Sequence, residues 1–433
     1  MYKGIFVRTV ASIVMSLMVS GFAHAVSFGD FDPRSLAMGG AGVASASSSN
    51  AAYYNPALLA MFPTRKEIGK NSEFVFPRIT VRYVESVETI DEVQQENPDQ
   101  DLINAINTFN ADPSSANAQA VLRASNNLDS NLDDLLDGPV HADINAGIVL
   151  GIGHKYEGGS IIINRRIVGD AEIENFENDL QLLNTYIDAM EFIEGGGDPA
   201  TAASLYPSIF AADGTLLDQT DNLTSSAVGG AMQITEIGMS MARQFDIMQR
   251  SIAIGITPKV VHVRTYDFIA EATSGDAIDA DDDHEDWNMN LDIGIAHQID
   301  RKWRAGLVVK NVRKLKYETS LGNTIELKPQ ARLGVMHGSR AGVYAMDIDI
   351  VKNQPIRRGS ESQMLSLGGE WPVFHNTFLV RAGAAKNLAG VDAGEKILYT
   401  FGVHWEALDA IVDLTYAENS YERAAGLQTG IRF

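Results

Sequence analysis

Cysteine is absent from the 433-residue sequence, which excludes a disulfide framework, a thiolate nucleophile and any Cys-based zinc or iron–sulfur site. Basic residues are scarce: 34 Lys and Arg stand against 56 Asp and Glu, a formal charge of −22. Such a chain repels phosphate instead of releasing its counterions, so nucleic acid is excluded as a partner. Beyond residue 25 no uninterrupted apolar run is long enough to cross a bilayer as a helix. Apolar material is nevertheless ample, at 45% of residues, and rules out wholesale disorder. What remains is a large acidic soluble protein or a transmembrane β-barrel, whose alternating strands leave no strong hydropathy signal.

The first segment favours export. Lys3 and Arg8 precede an apolar stretch from Thr9 to Phe22, followed by Ala23-His24-Ala25 with small residues where a signal peptidase cuts. Residues 1–25 read as a signal peptide, and the mature chain is expected to start at Val26. Losing Lys3 and Arg8 takes the charge from −22 to about −24. A cysteine-free chain fits an oxidising periplasmic or outer-membrane setting.

The rest alternates. Leu427, Thr429, Ile431 and Phe433 share one face, with Gln428, Gly430 and Arg432 on the other. Ile397, Tyr399, Phe401, Val403 and Trp405 repeat the pattern, as do Trp287, Met289, Leu291, Ile293 and Ile295. Period-two alternation over about ten residues is the mark of a tilted strand with lipid on one side. About fourteen such segments begin near 74, 143, 159, 230, 251, 286, 303, 329, 341, 362, 377, 396, 409 and 424. Pro258 coincides with a change in apolar parity, which predicts a bulge. Connections after even-numbered segments are short, such as Asp300 to Lys302. Those after odd-numbered ones are long, about 85–142 and 170–229 being the longest. Loop sorting of this kind belongs to single-chain outer-membrane barrels. The predicted fold is therefore all-β, a single antiparallel transmembrane barrel of about fourteen strands over 71–433, in a Gram-negative outer membrane. Phe433 closes an amphipathic last strand, the form read by the outer-membrane insertion machinery.

Charges of both signs fall on the inward parity. Arg78, Arg82, Arg166, Arg304, Lys310, Arg332 and Arg381 stand on one side and Asp292, Asp347, Asp349, Glu370, Asp413 and Glu406 on the other; because unpaired buried charge is costly, they are expected to face water, or to pair with one another or with a plug. A barrel this wide needs a channel or a plug. Residues 26–70, rich in small side chains, supply one: Ala37-Met38-Gly39-Gly40-Ala41-Gly42-Val43-Ala44 and Asn50 to Ala57. Asn55-Pro56 favours a turn that opens a short helix. The glycine run lacks the preceding strand and spacing of a dinucleotide loop.

Ser35-Leu36-Ala37-Met38-Gly39-Gly40-Ala41-Gly42-Val43, with Tyr53-Tyr54-Asn55-Pro56-Ala57, resembles the N-terminal signature of the FadL-type outer-membrane transporter superfamily, and most of all its TraF-like branch associated with plasmid transfer. The resemblance implies a fourteen-stranded barrel and an N-terminal hatch, with Gly39, Gly40, Gly42, Asn55, Pro56 and Ala57 as gating residues. It also implies long extracellular loops that bind hydrophobic ligand.

Both long loops read as acidic helical insertions. In the second, Phe176, Leu180, Leu183, Ile187 and Met190 share a helical face; in the first, Ile103, Ile106 and Phe109 do, and Leu128, Leu132, Leu135 and Leu136. Leu180, Leu183, Ile187 and Met190 are candidate ligand contacts, or these faces pack on each other. Asp276 to Asp286 forms an acidic loop without the register of a calcium site. The histidines are scattered, without metal spacing or a Ser/Asp partnership, so neither enzyme activity, cofactor nor metal is expected. Two functions are expected in competition: a channel for small hydrophobic or lipid-like compounds, and a non-transporting structural or accessory protein. Outer-membrane lipid and lipopolysaccharide are the expected surroundings. A lumen closed by Arg–Asp pairs, with loop helices packed only on themselves, favours the second.

Overall fold

In a computed structural model the described residues are 28–29, 31–62, 71–84, 98–136, 140–174, 176–247, 250–271, 284–319, 324–353, 361–374, 377–389 and 396–433. The segment expected to be a signal peptide and most of the acidic loop at 276–286 lie outside them. Among the described residues the strands are β1 (Ser72–Val84), β2 (Val140–Ile152), β3 (Glu157–Glu174), β4 (Ser226–Ile247), β5 (Arg250–Glu271), β6 (His284–Gln298), β7 (Trp303–Lys310), β8 (Leu315–Glu318), β9 (Thr324–Leu327), β10 (Gln330–Gly338), β11 (Val343–Asp349), β12 (Met364–Phe374), β13 (Phe378–Asn387), β14 (Leu398–Ala407), β15 (Ala410–Glu418) and β16 (Glu422–Arg432).

All but β8 and β9 close into one antiparallel barrel of fourteen strands, with β1 joined to β16. Each expected segment falls on one barrel strand. Closure satisfies every backbone group laterally, which a bilayer demands because it offers no water. Outward positions carry the apolar set: Phe74, Ile161, Ile237, Met289, Leu367, Phe401, Leu414 and Leu427 are all exposed. Aromatic residues gather near the ends, with Trp303, Tyr344, Trp371 and Trp405 toward the short turns and Trp287, Tyr399 and Tyr416 toward the long loops. These are the two interfacial girdles of a membrane barrel, and the short-turn rim with both strand termini is its periplasmic end.

The bulge predicted at Pro258 is not there. Gly238 pairs with Lys259 and Met241 with Ile256 in unbroken register, and burial alternates without a slip along β5. The parity change has a different cause. Above Lys259 the inward residues turn apolar (Val261, Val263), because a second layer of protein covers them, while outward His262 and Arg264 have risen above the hydrocarbon belt to the headgroup level. The register shift lies instead in β1, between Val75 and Arg78, where one extra residue switches the inward set from Glu73 and Val75 to Arg78 and Thr80. The last outer connection is also shorter than expected, since β15 ends at Glu418 and β16 begins at Glu422.

Wall height is uneven. β4 and β5 each run 22 residues, about 70 Å of strand, whereas β11 has 7. The first loop insertion lies between β1 and β2, and the second rises between β3 and β4 on the tall side, β3 to β6. The insertions form helices α3 (Pro98–Ala111), α4 (Ser115–Leu136), α5 (Phe176–Glu194) and α6 (Pro199–Leu205), after α1 (Pro33–Leu36) and α2 (Ala51–Tyr54) in the N-terminal segment. Leu102, Ile106, Phe109 and Val121 from the first insertion share one core with Leu183, Tyr186, Met190 and Ile193 from the second. Asn110 ties the two by a reciprocal pair with the Leu216 backbone, at 2.7 and 2.8 Å. The lobe is fastened to the wall at Asp179, whose carboxylate accepts the Thr224 and Ser225 amides at 2.9 and 2.7 Å.

Candidate functional site: the plugged lumen

The N-terminal segment lies inside the barrel, as expected. Asp32 caps α1 by accepting the Ser35 amide at 3.0 Å, with Pro33 in the first helical position where its missing N–H costs nothing. Asn55 occupies the same role for the 3₁₀ turn Pro56–Ala60, accepting from Ala57 N at 3.1 Å. Its amide nitrogen then donates to Val43 O within the plug and to Ile295 O of β6, both at 3.0 Å. Asn55 is thus the point at which plug, turn and wall meet.

The plug backbone approaches the wall at inward-facing glycines. A Cβ on Gly294 would lie 2.0 Å from Asn55 Oδ1, and one on Gly255 2.4 Å from Ala57 N. On the opposite side a Cβ on Gly383 would lie 2.4 Å from Gly39 N, and Gly39 itself has φ +69 and donates to Thr400 Oγ1 at 3.0 Å. Gly42 packs under the Tyr54 ring, and its amide and that of Val43 both donate to Asp347 at 2.8 Å. Gly40 offers its carbonyl to Arg332 at 3.4 Å.

Most of the expected lumen charges come together. Asp292 and Glu236 bracket the buried Lys259 ammonium at 2.9 and 2.7 Å. Arg332 pairs with Asp349, Arg166 with Asp143, and Arg82 reaches Glu422 at 3.8 Å. Glu370 is clamped between Arg34 of the plug and Arg381 of the wall, and Arg381 continues to Asp413, which also holds His404 at 2.9 Å. Four make no ion pair among the described residues: Arg78 donates to Asn164 at 2.8 Å and Lys310 to the Tyr53 carbonyl of the plug at 3.0 Å, and the other two are an acid and an arginine. Asp347 binds plug amides instead of a cation, and Arg304, near the periplasmic turn, donates to Gln298 at 3.0 Å.

Sequence reading missed an aromatic knot. Phe28, Phe31, Tyr53 and Tyr54 pack ring to ring with centroids 5.6–6.0 Å apart. Three wall cations sit on its faces: Arg78 over Tyr53 at 3.8 Å, Lys310 over Phe31 at 3.8 Å and Arg332 over Phe28 at 3.9 Å. Ring quadrupoles attract these cations most strongly where water is excluded.

Above the knot, Val168, Met232, Ile234, Val261 and Val263 make an apolar strip on the inner wall. The β8–β9 hairpin folds inward and covers it with Leu315, Tyr317, Ile325 and Leu327. Its opposite face is charged, with Glu326 among Lys314, Lys316 and Lys328 at 2.7, 3.1 and 3.5 Å. Burial alone would favour the neutral acid, yet these ammonium groups hold the Glu326 carboxyl below its ordinary range. Between hairpin and knot remains a gap of about 20 Å³, bounded by Phe31, Ile234, Leu327 and Lys310, enough for about one water. Below the plug a vestibule of about 1010 Å³ opens among the periplasmic turns, lined by Arg34, Glu73, Arg381, His404, Asp413 and Arg432 among others.

The open ligand face expected on the second insertion is closed. Leu183 and Met190 are buried in the helical lobe's own core and Leu180 and Ile187 are half-buried, because α5 pairs with α4 before it can offer a groove.

The family described as "F plasmid transfer operon, TraF, protein" matches residues 52–349. No curated protein matches the sequence. Among solved structures the chain is similar to the toluene transporter TbuX of Ralstonia pickettii, with 10% identity and a TM-score of 0.44 over 93% of this chain and 98% of that one. It is also similar to the Pseudomonas putida toluene transporter TodX, with 12% identity and a TM-score of 0.32 over 95% and 99%.

Proposed function

The chain belongs to the F plasmid transfer operon TraF family, and from that premise we propose that it is a hatch-gated, FadL-like outer-membrane channel for small hydrophobic compounds. One observation carries the reading: an apolar strip lines the lumen above the hatch, under a hairpin joined to β7 and β10 by short connections. A water-filled lumen has no use for Val168, Met232, Ile234, Val261 and Val263 facing inward, since barrel interiors are otherwise polar. The hairpin occupies the strip as a ligand would. A hydrophobic molecule entering from the outer rim displaces Leu315, Tyr317, Ile325 and Leu327, exchanging one apolar contact for another at little net cost. Onward passage requires the hatch to release Asn55 from Ile295 and the glycine seat, so Asn55, Pro56 and Ala57 form its pivot, with Gly39, Gly40 and Gly42 as the flexible opposite edge.

The cysteine-free chain allows a direct test. Thr265 donates to the Glu318 carbonyl at 2.9 Å and the next side chain, Thr319, is buried like Thr265, so Thr265→Cys with Thr319→Cys places two thiols where the hairpin meets the wall. In proteoliposomes, oxidation is expected to abolish uptake of a labelled monoaromatic hydrocarbon and reduction to restore it. Equal uptake in both states overturns hairpin gating. Asn55→Ala is expected to change the uptake rate, and unchanged uptake counts against the hatch.

A second reading, an accessory barrel without a path, is favoured by the Arg34–Glu370–Arg381–Asp413 chain bolting plug to wall and by loop helices that bury their own faces. Wild-type uptake no greater than that of empty vesicles would establish it.

A further inference from the structure

The outer face of the tall wall carries a charge that the barrel itself does not answer. Arg165 sits on the outward parity of β3, opposite Ala146 of β2 and Thr235 of β4, and the row continues to His262 of β5 and Trp287 of β6. The row below is lipid belt: Ile148, Ile163, Ile237, Val260 and Met289. Trp287 marks the outer interface, and Arg165 shares its level. Eight residues up a strand tilted at about 40° rise roughly 20 Å from the periplasmic turn, which also places Arg165 near the top of a band about 25 Å tall.

Arg165 is exposed and has no hydrogen-bond or ion-pair partner among the described residues. Ile163 and Ile167 flank it along the strand, so its stem lies in hydrocarbon and its guanidinium must find an anion at the headgroup level. One row higher, Arg264 is held against Glu285 at 3.0 Å, with His262 bonded to the same carboxylate and stacked on Trp287 at 4.3 Å. Two guanidinium groups therefore face outward from β3 and β5, two strand spacings or about 10 Å apart with β4 between them, and the one carboxylate, Glu285, stands on β6 on the far side of Arg264.

We infer that this face of β3–β6 is a binding site for the phosphate headgroup of an acylated outer-leaflet glycolipid, with Arg165 and Arg264 as its ligands and Trp287 packing on the sugar or the upper acyl carbons. Guanidinium matches phosphate by forked, charge-assisted hydrogen bonds. The isoleucines around Arg165 select an anion that brings its own hydrocarbon, which distinguishes a lipid from free phosphate. The protruding β4 and β5 then stand beside the saccharide, and the site holds the tall side of the barrel at fixed depth.

The test is native mass spectrometry of the full-length, delipidated protein titrated with bisphosphorylated lipid A and with its dephosphorylated form. The phosphorylated lipid is expected to be retained and the dephosphorylated one lost. Arg165→Gln with Arg264→Gln is expected to weaken retention about tenfold, roughly 1.4 kcal/mol. Arg165→Lys is expected to keep most of it, and Arg301→Gln at the opposite rim to change nothing. Heat-modifiable migration shows that each variant is folded. Equal retention of both lipids, full retention by the double variant, or displacement by millimolar inorganic phosphate overturns the proposal.

Discussion

Gly294 shows how a single position decides whether the plug can seat. A methyl group there would lie 2.0 Å from Asn55 Oδ1 and 2.9 Å from Pro56 Cδ, and Asn55 is held on both sides by backbone carbonyls. Gly294→Ala is expected to lower thermal stability by about 1–3 kcal/mol, the usual cost of overpacking, and to raise hydrogen exchange in residues 51–60. Gly169→Ala, whose new Cβ meets nothing closer than 3.4 Å, is the neutral control. Lys259 is the corresponding case for charge. Lys259→Met leaves Glu236 and Asp292 buried without their cation and is expected to cost about 3–5 kcal/mol in urea unfolding. Adding Glu236→Gln and Asp292→Asn should recover most of that loss, since the penalty lies in the uncompensated carboxylates.

At the scale of elements, the β8–β9 hairpin is too short to be stable alone and exists by docking on the inner wall. Its charged face is built around Glu326, directly opposite Lys316 in the ladder. Because the three lysines lower the folded carboxyl below its ordinary 4.5, the pair contributes stability above that value. The contribution is lost as pH falls through the lowered value. Hydrogen exchange in 315–327 is therefore expected to be slow at neutral pH and to accelerate as the carboxylate is protonated in acid, and Glu326→Gln should flatten that profile. The helical lobe is fastened to the wall at Asp179. Asp179→Asn removes a carboxylate that collects two backbone amides and two hydroxyls, and is expected to loosen α5 by about 1.5–3 kcal/mol while barrel exchange stays unchanged.

For the molecule as a whole the bilayer is the organising solvent, and depth sets what each outward residue can be. Met239, opposite Ile161 and adjacent to the Ile163–Ile237 row, lies in the middle of the belt. Met239→Arg is expected to cost about 2–4 kcal/mol and to shift the barrel to the unfolded position in heat-modifiability gels, although Arg165, two pairs higher, is tolerated at the interface. The acidic bias is local as well. Arg123 is the sole Lys or Arg in 98–136 and 176–222, so much of the net negative charge rides on the lobe above the membrane and little of it on the wall.

Strand number, inward and outward faces, the sorting of loops and the presence of a small-residue plug were written in local patterns. Each depends only on parity within a segment and on a solvent that rewards one face, so Phe401 and Thr400 declare their sides without reference to any other strand. The charged lumen was legible for the same reason. What could not be read locally was every meeting across the lumen. Phe28 and Phe31 look like isolated aromatics until Arg332 and Lys310 arrive from strands nearly 300 residues away. The inward glycines on β5, β6 and β13 were visible as breaks in good strand sequence, a signal of close backbone approach, but nothing local named Asn55 or Gly39 as what approaches. Val261 and Val263 misled because an apolar inward run after Pro258 has two solutions, a slipped register or a second layer. Sequence settled that a face is buried; only the folded barrel decided what buries it, because the closing contacts join segments whose spacing along the chain carries no period.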